Sequence, residues 1–150
     1  MASTSFYKTR TLTTIRQRAT NAANTFQPCV LVVEDHDDTR LMLKTMLQTR
    51  SSIAVVEAEN GEMAIALATN VRIDLILMDT DLPLLDGYAA TIRIRENTRT
   101  REIPIVMMSG HAEPAAQLKA FAAGCTEYIV KPFSLDSRLA GEPISFCRQS

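Results

Sequence analysis

Cysteine is scarce in this 150-residue chain, and its three copies, Cys29, Cys125 and Cys147, form no Cys-x-x-Cys pair and stand at no zinc-like spacing from a histidine. An odd, scattered set excludes a disulfide framework and a structural zinc knot, and it fits a reducing cytoplasm. Long apolar runs are also missing. None approaches the roughly 18 residues that a bilayer span needs, so no membrane span is expected. Acidic residues are absent from the first 28 positions, which hold Lys8, Arg10, Arg16 and Arg18. The net charge of −1 less this +4 leaves −5 on the remainder, and a body of that sign lacks the clustered cations that displace counterions from nucleic-acid phosphates. Residues 1–27 also lack a sustained apolar period, which predicts a basic, flexible extension. An organelle transit peptide is an alternative for this acid-free leader, whereas the apolar segment of a secretory signal is absent.

What is present begins at Pro28. Cys29–Val33, Ile53–Val56, Ile73–Met78, Ile103–Met108 and the neighbourhood of Tyr128–Val130 are short apolar runs without polar alternation, the pattern of strands covered on both faces. Helical segments lie between them. Asp37 or Asp38 is placed to cap a helix that turns Leu43, Met46 and Leu47 inward, and Asn60-Gly61-Glu62 opens one carrying Met63, Ala64 and Leu67. Asp86-Gly87 precedes Tyr88 and Ile92, and Glu113-Pro114 starts a helix with Leu118 and Phe121 that Gly124 can end. Strands alternating with helices over 150 residues predict one α/β domain with a doubly wound parallel sheet and right-handed crossovers. Such sheets bind ligands at the carboxyl ends of their strands.

Four of those ends carry polar groups: Glu34-Asp35 after the first run, Asp79 after the third, Ser109 after the fourth and Lys131-Pro132 after the fifth. Each by itself is what a strand reaching water looks like. Together they would gather carboxylates that raise one another's pKa and oppose folding unless a cation compensates them. A few hard oxygen ligands suit Mg²⁺, Lys131 would add a second positive charge, and Asp79 could then act as a nucleophile toward a phosphoryl group.

The strings VLVVEDHDDTR (Val30–Arg40), LILMDTDLPLLDGY (Leu75–Tyr88), IPIVMMSGHA (Ile103–Ala112) and AAGCTEYIVKPF (Ala122–Phe133) make residues 28–140 resemble the receiver domain of two-component response regulators, including the stand-alone chemotaxis regulators. The resemblance implies a flavodoxin-like fold with strand order 2-1-3-4-5. It implies Asp79 as phosphoacceptor, with Mg²⁺ held by Asp35, Asp79 and the backbone carbonyl of Asp81, Glu34 helping through water. Ser109 and Lys131 would each contact a phosphoryl oxygen, and Tyr128 matches an aromatic side chain that swings inward when the hydroxyl is drawn to the phosphate. Asp81 and His111 would tune access of hydrolytic water. Lys131-Pro132 matches a peptide bond that is usually cis. The implied partners are a histidine kinase or phosphotransfer protein that donates the phosphoryl group, and a downstream protein target.

Two departures qualify this expectation. Gly141 and Pro143 after Ser134–Ala140 predict an early stop of the final helix, with residues 141–150 as a tail, which bears on the partner surface built there. The basic extension is additional, and with no output domain after the receiver the response is expected to pass through protein contacts. Two other functions compete. A phosphatase of the haloacid-dehalogenase type would share Asp79-Thr80-Asp81 and Ser109, yet its acidic pair comes last in the chain rather than first. A degenerate receiver used only for binding would not need Glu34, Asp35, Asp79, Ser109 and Lys131 all intact. His36 and His111 are set aside as phosphohistidines or metal ligands, because neither lies in a helical relay context.

Overall fold

The structure is a computed structural model that describes residues 27–50 and 52–132. Its elements alternate: β1 (Cys29–Val33), α1 (Asp37–Arg50), β2 (Ala54–Ala58), α2 (Gly61–Asn70), β3 (Leu75–Asp79), α3 (Gly87–Glu96), β4 (Ile105–Ser109), α4 (Pro114–Ala123) and β5 (Glu127–Val130). All pairings are parallel, in the order β2-β1-β3-β4-β5. This is the predicted doubly wound fold. The sheet divides the core in two, with Leu31, Val33, Ile76, Met78, Ile105 and Met107 on one face and Val30, Val32, Leu75, Val106 and Met108 on the other. That two-faced burial explains why the central strands read as unbroken apolar runs.

Local chemistry sets the element ends. Asn60 and Asp86 cap α2 and α3, accepting from the backbone N–H of Met63 and Ala89 at 2.8 Å each. Pro114 opens α4, and Gly124 closes it with φ 108°, a left-handed conformation that glycine adopts without strain. Three strands begin later than the apolar runs suggest. Ile73 is buried but precedes β3, because the next residue, Asp74, folds back to accept from the Cys29 N–H at 2.9 Å. Pro104 has no N–H to give the ladder, so β4 starts at Ile105. Ile53 likewise lies outside β2, which runs on to Ala58.

The helix faces differ from expectation in part. Leu43 is buried, as predicted, but Met63, Ile92, Leu118 and Phe121 are exposed. Ala64 is buried as read, and further alanines, Ala68, Ala90, Ala120 and Ala123, take the other inward positions. Small side chains let the helix backbones lie close to the sheet, which turns the larger neighbours outward. Asp37 and Asp38 also sit inside the first turn of α1 rather than before it, where their charge still favours the helix dipole. The predicted basic extension, the final helix over Ser134–Ala140 and the tail lie outside the described residues, apart from the exposed residue 27.

Candidate functional site

β1 delivers Glu34, whose backbone N–H donates to the Ala58 carbonyl at 3.0 Å and whose side chain is fully buried. β3 delivers Asp79 at its last position, 4% exposed. Register places Asp79 beside Met108 on β4, and Ser109 beside Val130 on β5, so the ends of three strands meet at one edge. Lys131 follows, its N–H donating to the Ser109 carbonyl at 2.7 Å. Its Nζ lies 2.9 Å from Glu34 Oε2 and 3.3 Å from Asp79 Oδ1. One ammonium thus bridges two carboxylates from separate strands, across 97 positions of sequence in the case of Glu34. The Lys131-Pro132 bond is cis.

The two acids share that ammonium unequally. Burial works to raise the Glu34 pKa, but the Lys131 hydrogen bond, the His36 N–H at 3.1 Å and the lysine charge outweigh it, so Glu34 is held below its usual range. Asp79 receives only the longer Lys131 contact and the Asp81 N–H at 3.3 Å. Burial, reinforced by the charge of Glu34, pushes Asp79 up to about 6. Burial also disfavours the charge on Lys131, but its hydrogen bond to Glu34 and the attraction of both acids prevail and raise its pKa. Two acids and one base leave the corner short of one positive charge.

Ser109 is fully buried, and its Oγ accepts from the His111 N–H at 3.1 Å. His111 reaches over the mouth of the site, Nε2 3.7 Å from Asp81 Oδ2 and Nδ1 3.8 Å from Glu113 Oε2. Tyr128, half-buried on β5, donates its hydroxyl proton to the His111 carbonyl at 2.6 Å. Tyr128 and the loop that follows Ser109 are therefore tied together. Tyr88 packs against the same core cluster as Tyr128, and Lys119 Nζ lies 4.1 Å from the centre of its ring.

Asp35 Oδ1 is buried and accepts no hydrogen bond, although it lies 3.1 Å from His36 Nδ1. A shielded carboxylate oxygen whose neighbour is one histidine nitrogen keeps lone pairs that a hard cation could take. Glu34, Asp35 and His36 offer ligand atoms within 4.8 Å of one another. His36, set aside from the sequence as a metal ligand, belongs to this group; its Nδ1 also stands 3.1 Å from Glu34 Oε1, and these neighbours hold the imidazole pKa above its usual value. Arg40 was not singled out from the sequence. The available signal was its spacing, one helical turn beyond His36, which aims a side chain back at the strand end.

Residues 30–140 match the family described as the response regulator receiver domain. The chain is 42% identical over 105 residues to the transcriptional regulatory protein ResD of Bacillus subtilis, and 38% identical over 105 residues to SrrA of Staphylococcus aureus. Each match covers 70% of this chain, which spans 42% of the length of either relative. Among solved structures, the chemotaxis protein CheY4 of Vibrio cholerae superposes with a TM-score of 0.69 at 29% identity, covering 73% of this chain and 90% of that one. The receiver domain of the sensor histidine kinase PA1611 from Pseudomonas aeruginosa, which has a magnesium ion coordinated in its active site cleft, gives 0.67 at 33% identity, covering 73% and 88%. Fold, strand-end chemistry and sequence agree: the chain belongs to the response regulator receiver domain family of two-component signalling.

Proposed function

We propose that this protein is a phosphorylation switch in which Asp79 accepts a phosphoryl group from a phosphohistidine of a histidine kinase or phosphotransfer protein, in a Mg²⁺-dependent reaction. The observation that carries this reading is the Lys131 ammonium held between Glu34 and Asp79 at the carboxyl edge of a parallel sheet, 2.9 and 3.3 Å from their oxygens. Asp79 Oδ attacks phosphorus in line; the new O–P bond forms as the P–N bond to the donor imidazole breaks, and that electron pair returns to the ring nitrogen. Lys131 offsets charge on one phosphoryl oxygen, and the Ser109 hydroxyl, freed from the His111 N–H, donates to another.

The acidic residues at this corner suit a divalent ion: Asp35, with its buried Oδ1, Asp79, the Asp81 carbonyl and Glu34 through water would hold it. Bound there, Mg²⁺ would supply the positive charge that the corner lacks and lower the barrier to an anionic donor. Asp79 must be ionised to attack, and Lys131 by itself leaves its pKa at about 6. Once phosphorylated, the loop from Ser109 to His111 moves with the hydroxyl, and the Tyr128 hydroxyl that it anchors moves too. The readout is proposed to be protein contact near Tyr128, with Asp81 and His111 tuning the approach of hydrolytic water. In the absence of an external substrate the protein acts only on its own acyl phosphate. A cytoplasmic site of action suits a chain whose Cys29 and Cys125 are free thiols.

The test is intact-protein mass spectrometry after incubation with Mg²⁺ and a small phosphodonor. One added phosphoryl group is expected, not formed when a chelator is present from the start and absent from Asp79→Ala. An adduct that persists in Asp79→Ala, or none in the wild type across several donors, rules the assignment out. Steady turnover of an external phosphomonoester would favour the phosphatase reading instead.

A further inference from the structure

We infer that Arg40 is a positioning residue for the cation site: by gripping the Glu34 carbonyl it sets the Glu34-Asp35 peptide and thereby aims both carboxylates. The inference rests on the reading of this corner as a Mg²⁺ site. Arg40 extends from α1, and its side chain is 11% exposed. Nη1 donates to the Glu34 carbonyl at 2.9 Å, while Nη2 lies 2.6 Å from Asp37 Oδ1 and 3.5 Å from Glu59 Oε1, and Nε lies 3.4 Å from Glu57 Oε1. The other side of the same residue is fixed as well, since the Glu34 N–H donates to Ala58. The residue that carries the first acid is therefore held through both its N–H and its carbonyl.

The shape of the guanidinium suits this task. It is planar with donors in a fixed fork, so three carboxylates on one side lock the orientation of the donor that remains for the carbonyl. Lys44 lies 2.8 Å from the second Glu57 oxygen and does not touch Glu34. Glu57 and Glu59 at the end of β2 thus hold Arg40, and Arg40 holds the end of β1.

Charge and geometry make opposite predictions for this residue. A cation beside a cation site repels the incoming ion, so on charge alone the loss of Arg40 tightens Mg²⁺ binding. If Arg40 positions the ligands, its loss weakens binding, since residues that orient metal ligands are worth about tenfold or more in affinity. The experiment is a calorimetric Mg²⁺ titration of the full chain, repeated with Mn²⁺ followed by water proton relaxation. Arg40→Gln is expected to bind about tenfold more weakly. Arg40→Lys keeps the charge but not the fork and should fall between Arg40→Gln and wild type. Lys44→Gln removes a nearby positive charge without touching Glu34 and should bind as wild type or slightly more tightly. Unchanged or tighter binding in Arg40→Gln overturns the inference; should that variant not fold, wild-type affinity in Arg40→Lys overturns it equally. A wild type that binds neither ion overturns the cation-site reading and this inference with it, whereas normal wild-type binding with unaltered variants overturns this inference alone.

Discussion

At the scale of single residues, Asp79 and Glu34 compete for one lysine, and Glu34 holds the stronger position. The cost falls on Asp79, whose folded pKa of about 6 stands above its ordinary value of 3.8. A carboxyl with a raised folded pKa binds its proton more readily folded than unfolded, so it favours folding fully below about pH 4 and loses that contribution as pH rises through about 6. In chelator, the Asp79 contribution to wild-type stability is therefore expected to fall across this window. Asp79→Asn removes the ionisation and should be more stable than wild type at pH 7 by about 1–3 kcal/mol, with the difference vanishing near pH 4. Urea unfolding of both proteins from pH 4 to 8 checks this; a difference between the two that does not grow across the window would mean that Asp79 is not the strained partner.

At the scale of elements, the site depends on how closely α3 approaches β3. Gly87 donates its N–H to the Thr80 carbonyl at 3.1 Å, and a Cβ at this position would collide with the Asp79 carbonyl oxygen. Glycine here has a steric cause at the end of β3 itself. Gly87→Ala must push α3 or the end of β3 aside, which should lower stability by about 1–3 kcal/mol. It should also slow phosphoryl uptake at temperatures where the variant is still folded, measured by the rate of adduct formation; an unaltered rate would show that Asp79 does not move with its carbonyl. A second joint lies at the opposite end of the helix layer. There Arg95 donates to the carbonyls of Gly124, Arg101 and Ile103 at 2.8, 3.0 and 2.7 Å, tying the ends of α3 and α4 together. Gly124 cannot take a Cβ beside Arg95 Cγ, so this joint too is built on a glycine.

At the scale of the whole molecule, the parallel sheet brings Glu34, Asp79, Ser109 and Lys131 to one edge, with an excess of negative charge. An ion that binds this edge only in the folded state stabilises the fold by mass action, about 2.7 kcal/mol at a hundredfold excess over Kd. For a domain of this size the thermal midpoint should rise by about 5–10 °C, revert with chelator, and shift far less in Asp35→Asn. A midpoint indifferent to Mg²⁺ would count against an ion site at this edge. The fold class, the five strands and the strand-end residues were legible in the chain itself, because a strand buried on both faces must be apolar throughout and polarity resumes where it ends. Caps at Asn60 and Asp86 and the stop at Gly124 were legible for the same local reason. Long-range placement decided the rest: which helix faces point inward, where alanines displaced Met63, Ile92, Leu118 and Phe121; how Lys131 is shared between two acids; and how His36 and Arg40 close on Glu34. Periodicity reports that a residue lies on a face or at an end, whereas a distance between two ends exists only after the sheet has set its register.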